Sequence, residues 1–102
     1  MSYHRIIVEF LGVPTKHTGL LEEFFKTIRS EIAQISDFEI TEQEVFCFPE
    51  FSLSQNNAVR IFVRYSTTSS SLLDVDWRSH AHGRIAKLIK EKFAADSVER
   101  IE

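Results

Sequence analysis

The sequence predicts an α+β domain with the element order β-α-β-β-α-β, a two-layer sandwich in which a four-stranded sheet carries two helices on one face. Three observations lead there. Two stretches repeat apolar residues at spacings of three and four, as amphipathic helices do. Two others, residues 5–11 and 58–65, are dense in β-branched and aromatic residues. Glycine, proline or polar clusters separate these stretches. With 102 residues, 43% of them apolar, the chain can bury one core without disulfides or metal, so residues 1–102 are read as a single domain.

Arg5-Ile6-Ile7-Val8-Glu9-Phe10-Leu11 is the first strand, which Gly12 and Pro14 are expected to end. Over residues 20–35, Leu21, Phe24, Phe25, Ile28, Ile32 and Ile35 share one helical face, and Thr18 is a candidate cap. Residues 38–48 read as extended chain with a polar middle, Thr41-Glu42-Gln43-Glu44, and an apolar end, Val45-Phe46-Cys47-Phe48, closed by Pro49. Ser52, Ser54, Gln55, Asn56 and Asn57 mark a connection long enough for a broad hairpin. In the third strand Val59, Ile61, Val63 and Tyr65 alternate with Arg60, Phe62 and Arg64. A hydroxyl-rich loop, Ser66-Thr67-Thr68-Ser69-Ser70-Ser71, leads to Asp74 and Asp76, either of which suits the start of a second helix. That helix runs to Ala94 with Trp77, Ala81, Ile85, Leu88, Ile89 and Phe93 on its apolar stripe and Arg78, Arg84, Lys87 and Lys90 on its solvated side. Residues 97–101 form the last strand.

Composition excludes several function classes. A net charge of −3 with 26% charged residues shows no basic excess to attract nucleic acid or anionic lipid. The apolar run near the N-terminus is short and interrupted by Glu9, too little for a signal peptide or a membrane span, so the expected location is the cytoplasm. Cys47 is the only cysteine, which removes an internal disulfide and a multi-thiolate zinc site, and its apolar neighbours make it a buried structural thiol. Gly12, Gly19 and Gly83 cannot assemble a phosphate-binding loop, and no cofactor is expected.

His80 and His82 lie two apart in a helical pattern, so His82 points toward the Ile85 and Ile89 face and His80 toward solvent; no metal site is expected from them. His4 and His17 gain partners only through folding. Trp77 falls on the apolar stripe and reads as a core anchor. No nucleophile-elbow pattern occurs, and a triad assembled from distant residues cannot be seen in a linear sequence.

The sheet face away from the helices is the informative surface. If Ile6, Val8 and Phe10 face the helices, then Tyr3, Arg5, Ile7 and Glu9 line the other side, with Arg60, Phe62 and Arg64 from the third strand. The second strand adds Phe46 and Phe48, or else Val45 and Cys47. Large apolar residues among arginines are poorly suited to bare water, so this face is expected to be covered by other subunits. Arg60 and Arg64 project in the same direction and suit a carboxylate ligand, or pair with Glu9 or Glu44.

The element order, the strand Arg60-Ile61-Phe62-Val63-Arg64-Tyr65 and the helix containing Gly83-Arg84-Ile85-Ala86-Lys87-Leu88-Ile89 together resemble the tautomerase superfamily, which includes oxalocrotonate tautomerases and macrophage migration inhibitory factor. The resemblance implies a homotrimer whose sheets form a central barrel, with an active site between subunits and arginines that bind the substrate carboxylate. Arg60 and Arg64 are the nearest match to that clamp, with Arg5 behind them. In that superfamily the acid/base group is an amino-terminal proline; here Ser2 follows Met1, and Pro14 and Pro49 lie elsewhere. The terminal amine at Ser2, with an ordinary pKa near neutrality, is the candidate base in its place. A ferredoxin-like interaction module shares the element order but pairs its strands differently, and it would dimerise through the open sheet.

Overall fold

β-Branched and aromatic side chains favour extended backbone, and Ile6–Pro14 forms the first strand, β1. The computed structural model describes residues 4–17, 21–35, 38–52, 58–72 and 76–101. β1 continues past its expected end because Gly12 makes a bulge instead of a stop. Its φ is +89°, the register with the neighbouring strand slips between Leu11 and Val13, and the slip returns Val13 to the face that buries Ile6, Val8 and Phe10. Pro14 occupies the last position, where a missing N–H is tolerated.

Helix α1, Glu22–Ala33, buries Phe25, Ile28 and Ile32. Leu21 is its N-cap and offers no side-chain acceptor, while Glu22 and Glu23 complement the positive end of the helix in the first turn. Thr18 lies outside the described residues. The extended run expected from residue 38 is shorter than its composition suggested. Glu39 takes a φ of +53°, a 3-10 turn follows at Glu42–Glu44, and strand β2 is Val45–Ser52. The turn exists because the Glu44 carboxylate accepts the N–H of Thr41 at 2.8 Å and its hydroxyl at 2.9 Å, closing a capping box. Pro49 does not end β2, since an edge strand leaves one side of its ladder unused.

Strand β3 is Arg60–Thr67, helix α2 is Trp77–Phe93 and strand β4 is Ser97–Ile101. Asp76 is the N-cap of α2 without a side-chain cap bond, and Asp74 lies outside the described residues. The sheet order is β2-β1-β3-β4, with β1 parallel to β2, antiparallel to β3, and β3 parallel to β4. Each β-α-β unit therefore keeps its two strands adjacent, and the units meet through their first strands.

This order corrects the expected hairpin. β1 lies between β2 and β3, so these two strands, though antiparallel to each other, are not paired neighbours; Ser54, Gln55, Asn56 and Asn57 themselves lie outside the described residues. One apolar layer fills the space between sheet and helices, including Ile61, Val63 and Tyr65 of β3 and Trp77, Ala81, Ile85, Ile89 and Phe93 of α2. Phe10 stacks on Phe25 with centroids 5.2 Å apart, and Trp77 is fully buried against Tyr65. Arg84, expected only as a solvated side chain, fastens the helices together. Its Nε donates to the Glu31 carbonyl at 2.9 Å, and one Nη donates to the Glu31 carboxylate and to Gln34, each at 3.0 Å.

Candidate functional site

Alternation along each strand, read with the pairing register, sorts the second sheet face into rows. One row reads Phe48, Glu9, Arg64, Ile101; the next reads Glu50, Leu11, Phe62, Glu99. Phe46 and Ile7 lie in the row before. The register thus chooses Phe46 and Phe48 for this face and turns Val45 and Cys47 toward the core. Phe48 is 50% exposed. Among the described residues no helix covers this side, and Ile7, Leu11, Phe46, Phe62 and Ile101 remain only half-buried. A sheet face with this many large apolar residues among charges on a small chain marks an interface or a ligand site.

The three arginines singled out by the sequence occupy this face without meeting one another. Arg64 pairs with Glu9 across the β1–β3 ladder, Nη1 to Oε1 at 3.8 Å, with both side chains partly exposed. Arg60 is exposed, two residues beyond Phe62, and has no ion-pair partner among the described residues. Four residues along a strand separate two Cα atoms by roughly 13 Å, so Arg60 and Arg64 bracket Phe62. The Arg5 guanidinium lies 4.9 Å from the centre of the Phe46 ring, an aromatic face that attracts a cation. Ser2 and Tyr3 lie outside the described residues.

A polar network that the sequence did not reveal closes one end of the sheet, where β1 begins, β2 begins and β3 ends. His4 and Glu44 are both 5% exposed. The His4 backbone N–H donates to Glu44 Oε2, and the His4 ring Nδ1 hydrogen-bonds Ser69 Oγ at 2.9 Å. Ser69 Oγ is also 3.0 Å from Ser71 Oγ, while the Ser69 N–H donates to Thr67 Oγ1 at 3.0 Å. Burial alone would raise the Glu44 carboxyl, but hydrogen bonds from Thr41 and His4 outweigh it and hold the group below its ordinary value. The signal available in the sequence was only a hydroxyl-rich loop.

The remaining polar groups serve packing. Tyr65 Oη lies 2.7 Å from His82 Nδ1; burial raises the tyrosine hydroxyl and, with Arg100 nearby, lowers the imidazole. Arg100 donates to Ser79 Oγ at 2.7 Å on the same side. His80 is exposed and its ring meets that of Phe38 edge-on with centroids 5.4 Å apart, so the two α2 histidines diverge. Among the described residues no three His, Cys, Asp or Glu side chains gather to hold a metal ion. Cys47 is half-buried, and burial pushes its thiol up to about 12, which leaves it protonated and unreactive. A shallow groove of about 320 Å³ on α1, lined by Glu23, Lys26, Thr27, Ser30, Glu31 and Glu42, is open and polar. No helix among the described residues is long and apolar enough to cross a membrane.

Fold and site together define a small α+β protein with one mixed apolar and charged sheet face that no helix among the described residues covers. No protein-family model, no curated protein and no solved structure matches the chain.

Proposed function

We propose that this chain is a tautomerase-like protein that assembles with copies of itself through the open sheet face, as a trimer in the favoured arrangement, and binds a small carboxylate beside Arg60 and Arg64 at the subunit boundary. The open face carries the reading. Its apolar residues are interspersed with acids, Glu9, Glu50 and Glu99, and with bases, Arg5, Arg60 and Arg64. Such a balance favours a second copy of the same surface over a nucleic acid or an anionic membrane, each of which would select one sign. Arg60, without an ion-pair partner among the described residues, is the residue best placed to take a carboxylate; Arg64 must exchange Glu9 for it.

Strand pairing weighs against the ferredoxin-like alternative, because a split β-α-β unit places a strand between the two that are neighbours here. Light scattering behind a sizing column, run over a range of concentrations, tests the assembly. A stable trimer that Phe62→Asp dissociates is the expected result, and a monomer at all concentrations refutes the reading. Calorimetric titration with short-chain 2-oxo acids tests the ligand. Binding should be lost in the Arg60→Ala, Arg64→Ala double variant, and a dimer that binds no acid would favour a non-catalytic interaction module.

A further inference from the structure

We propose that Ser69 is a nucleophilic serine, with His4 as its general base and the Ser71 hydroxyl as a donor to the developing oxyanion, acting on small activated carboxylic esters. Folding brings together an imidazole and a hydroxyl that lie 65 residues apart, at 2.9 Å. A nucleophile within hydrogen-bond reach of a base that is itself held in place is the arrangement acyl transfer requires. Here the base is held from behind. The buried Glu44 carboxylate grips the backbone N–H of His4, and burial leaves the ring little freedom to turn.

Access differs across the cluster in the useful sense. His4 is buried, Ser69 is half-buried and Ser71 is exposed, so the hydroxyl chain leads from solvent inward to the imidazole. The backbone at Ser69 is fixed separately, through its N–H on Thr67 Oγ1.

The step balances with water as the only co-reactant. Ser69 Oγ bonds to the ester carbonyl carbon as its proton passes to His4 Nδ1, and the carbonyl oxygen, now negative, accepts from Ser71. Collapse breaks the carbon–oxygen bond to the alcohol, which leaves with the proton from His4. Water then attacks the acyl-serine, giving its proton to Nδ1, and the departing Ser69 oxygen recovers that proton as the carboxylic acid is released. None of this depends on assembly or on the arginines of the sheet face.

The full-length chain is treated with diisopropyl fluorophosphate, and the modified residue is located by peptide mass mapping; hydrolysis of p-nitrophenyl acetate is followed in parallel. One adduct per chain, on Ser69, is expected. His4→Gln retains the backbone N–H that Glu44 holds and should slow labelling about 100-fold while flattening its pH profile, the effect of removing a general base. Ser69→Ala should abolish both labelling and ester hydrolysis, with circular dichroism confirming the fold of each variant. Absence of any adduct on the wild-type chain, an adduct on another residue, or a labelling rate unchanged in His4→Gln would each overturn the proposal.

Discussion

Replacing Glu44 with glutamine tests how the end of the sheet is held. The carboxylate uses both oxygens, Oε1 for the Thr41 N–H and hydroxyl and Oε2 for the His4 N–H. Glu44→Gln keeps one acceptor but sets an amide NH₂ against whichever donor faces the other position. A hydrogen bond to a charged group contributes about 1.5–3 kcal/mol, so the variant should lose about that much at neutral pH. The sign of the pH dependence follows from the lowered carboxyl. A folded-state pKa below the unfolded value of about 4.3 gives stability that is complete above that value and fades as pH falls through the folded one. Urea unfolding of wild type and variant at about pH 7 and at about pH 3 measures the gap. It should be widest at neutral pH and shrink in acid. A variant as stable as wild type at neutral pH, or a gap that does not change between the two conditions, would show that the network does not hold this end of the fold.

Two other substitutions probe the scaffold. Gly12→Ala combines a left-handed φ of +89° with a Cβ placed 2.4 Å from the Arg60 carbonyl oxygen of β3, and should cost about 2–5 kcal/mol, read as a fall in the denaturant midpoint. Arg84→Ala removes the link from α2 to Glu31 and Gln34; because this link is partly exposed, the expected loss is only about 0.5–1 kcal/mol, with the ionic part diminishing in added salt.

The helices and the central strands were legible because their periods are local properties of the chain. Val59, Ile61, Val63 and Tyr65 announce a strand without reference to any other segment. Gly12 was read as a stop because glycine marks both strand ends and bulges, and only the partner's register separates the two. Likewise the polar connection after Ser52 resembles a hairpin, since local composition does not say whether the next strand pairs or crosses over. The Glu9–Arg64 pair was among the partners considered for that arginine, and alternation was enough to place both on one face. Glu44 was a harder case. The sequence offered it as a partner for Arg60 or Arg64, whereas its carboxylate is taken by Thr41 and by His4, forty residues away. The same distance problem hid His4 behind Ser69.

The meeting of β1 with β3 sets the order in which the chain becomes safe. β1 can pair with β2 once residue 52 has been made, but its other edge waits for a strand that reaches from Arg60 to Thr67. During synthesis the first unit therefore presents an unpaired, strongly apolar strand edge, the kind that recruits the edge of another nascent chain. Gly12 and Glu9 temper that edge, one by bending it and the other by charging it. Long-range pairing also slows closure, so a chain truncated before β3 is expected to aggregate during expression, whereas one carried through β3 has both edges of β1 paired and only that of β3 waiting for β4.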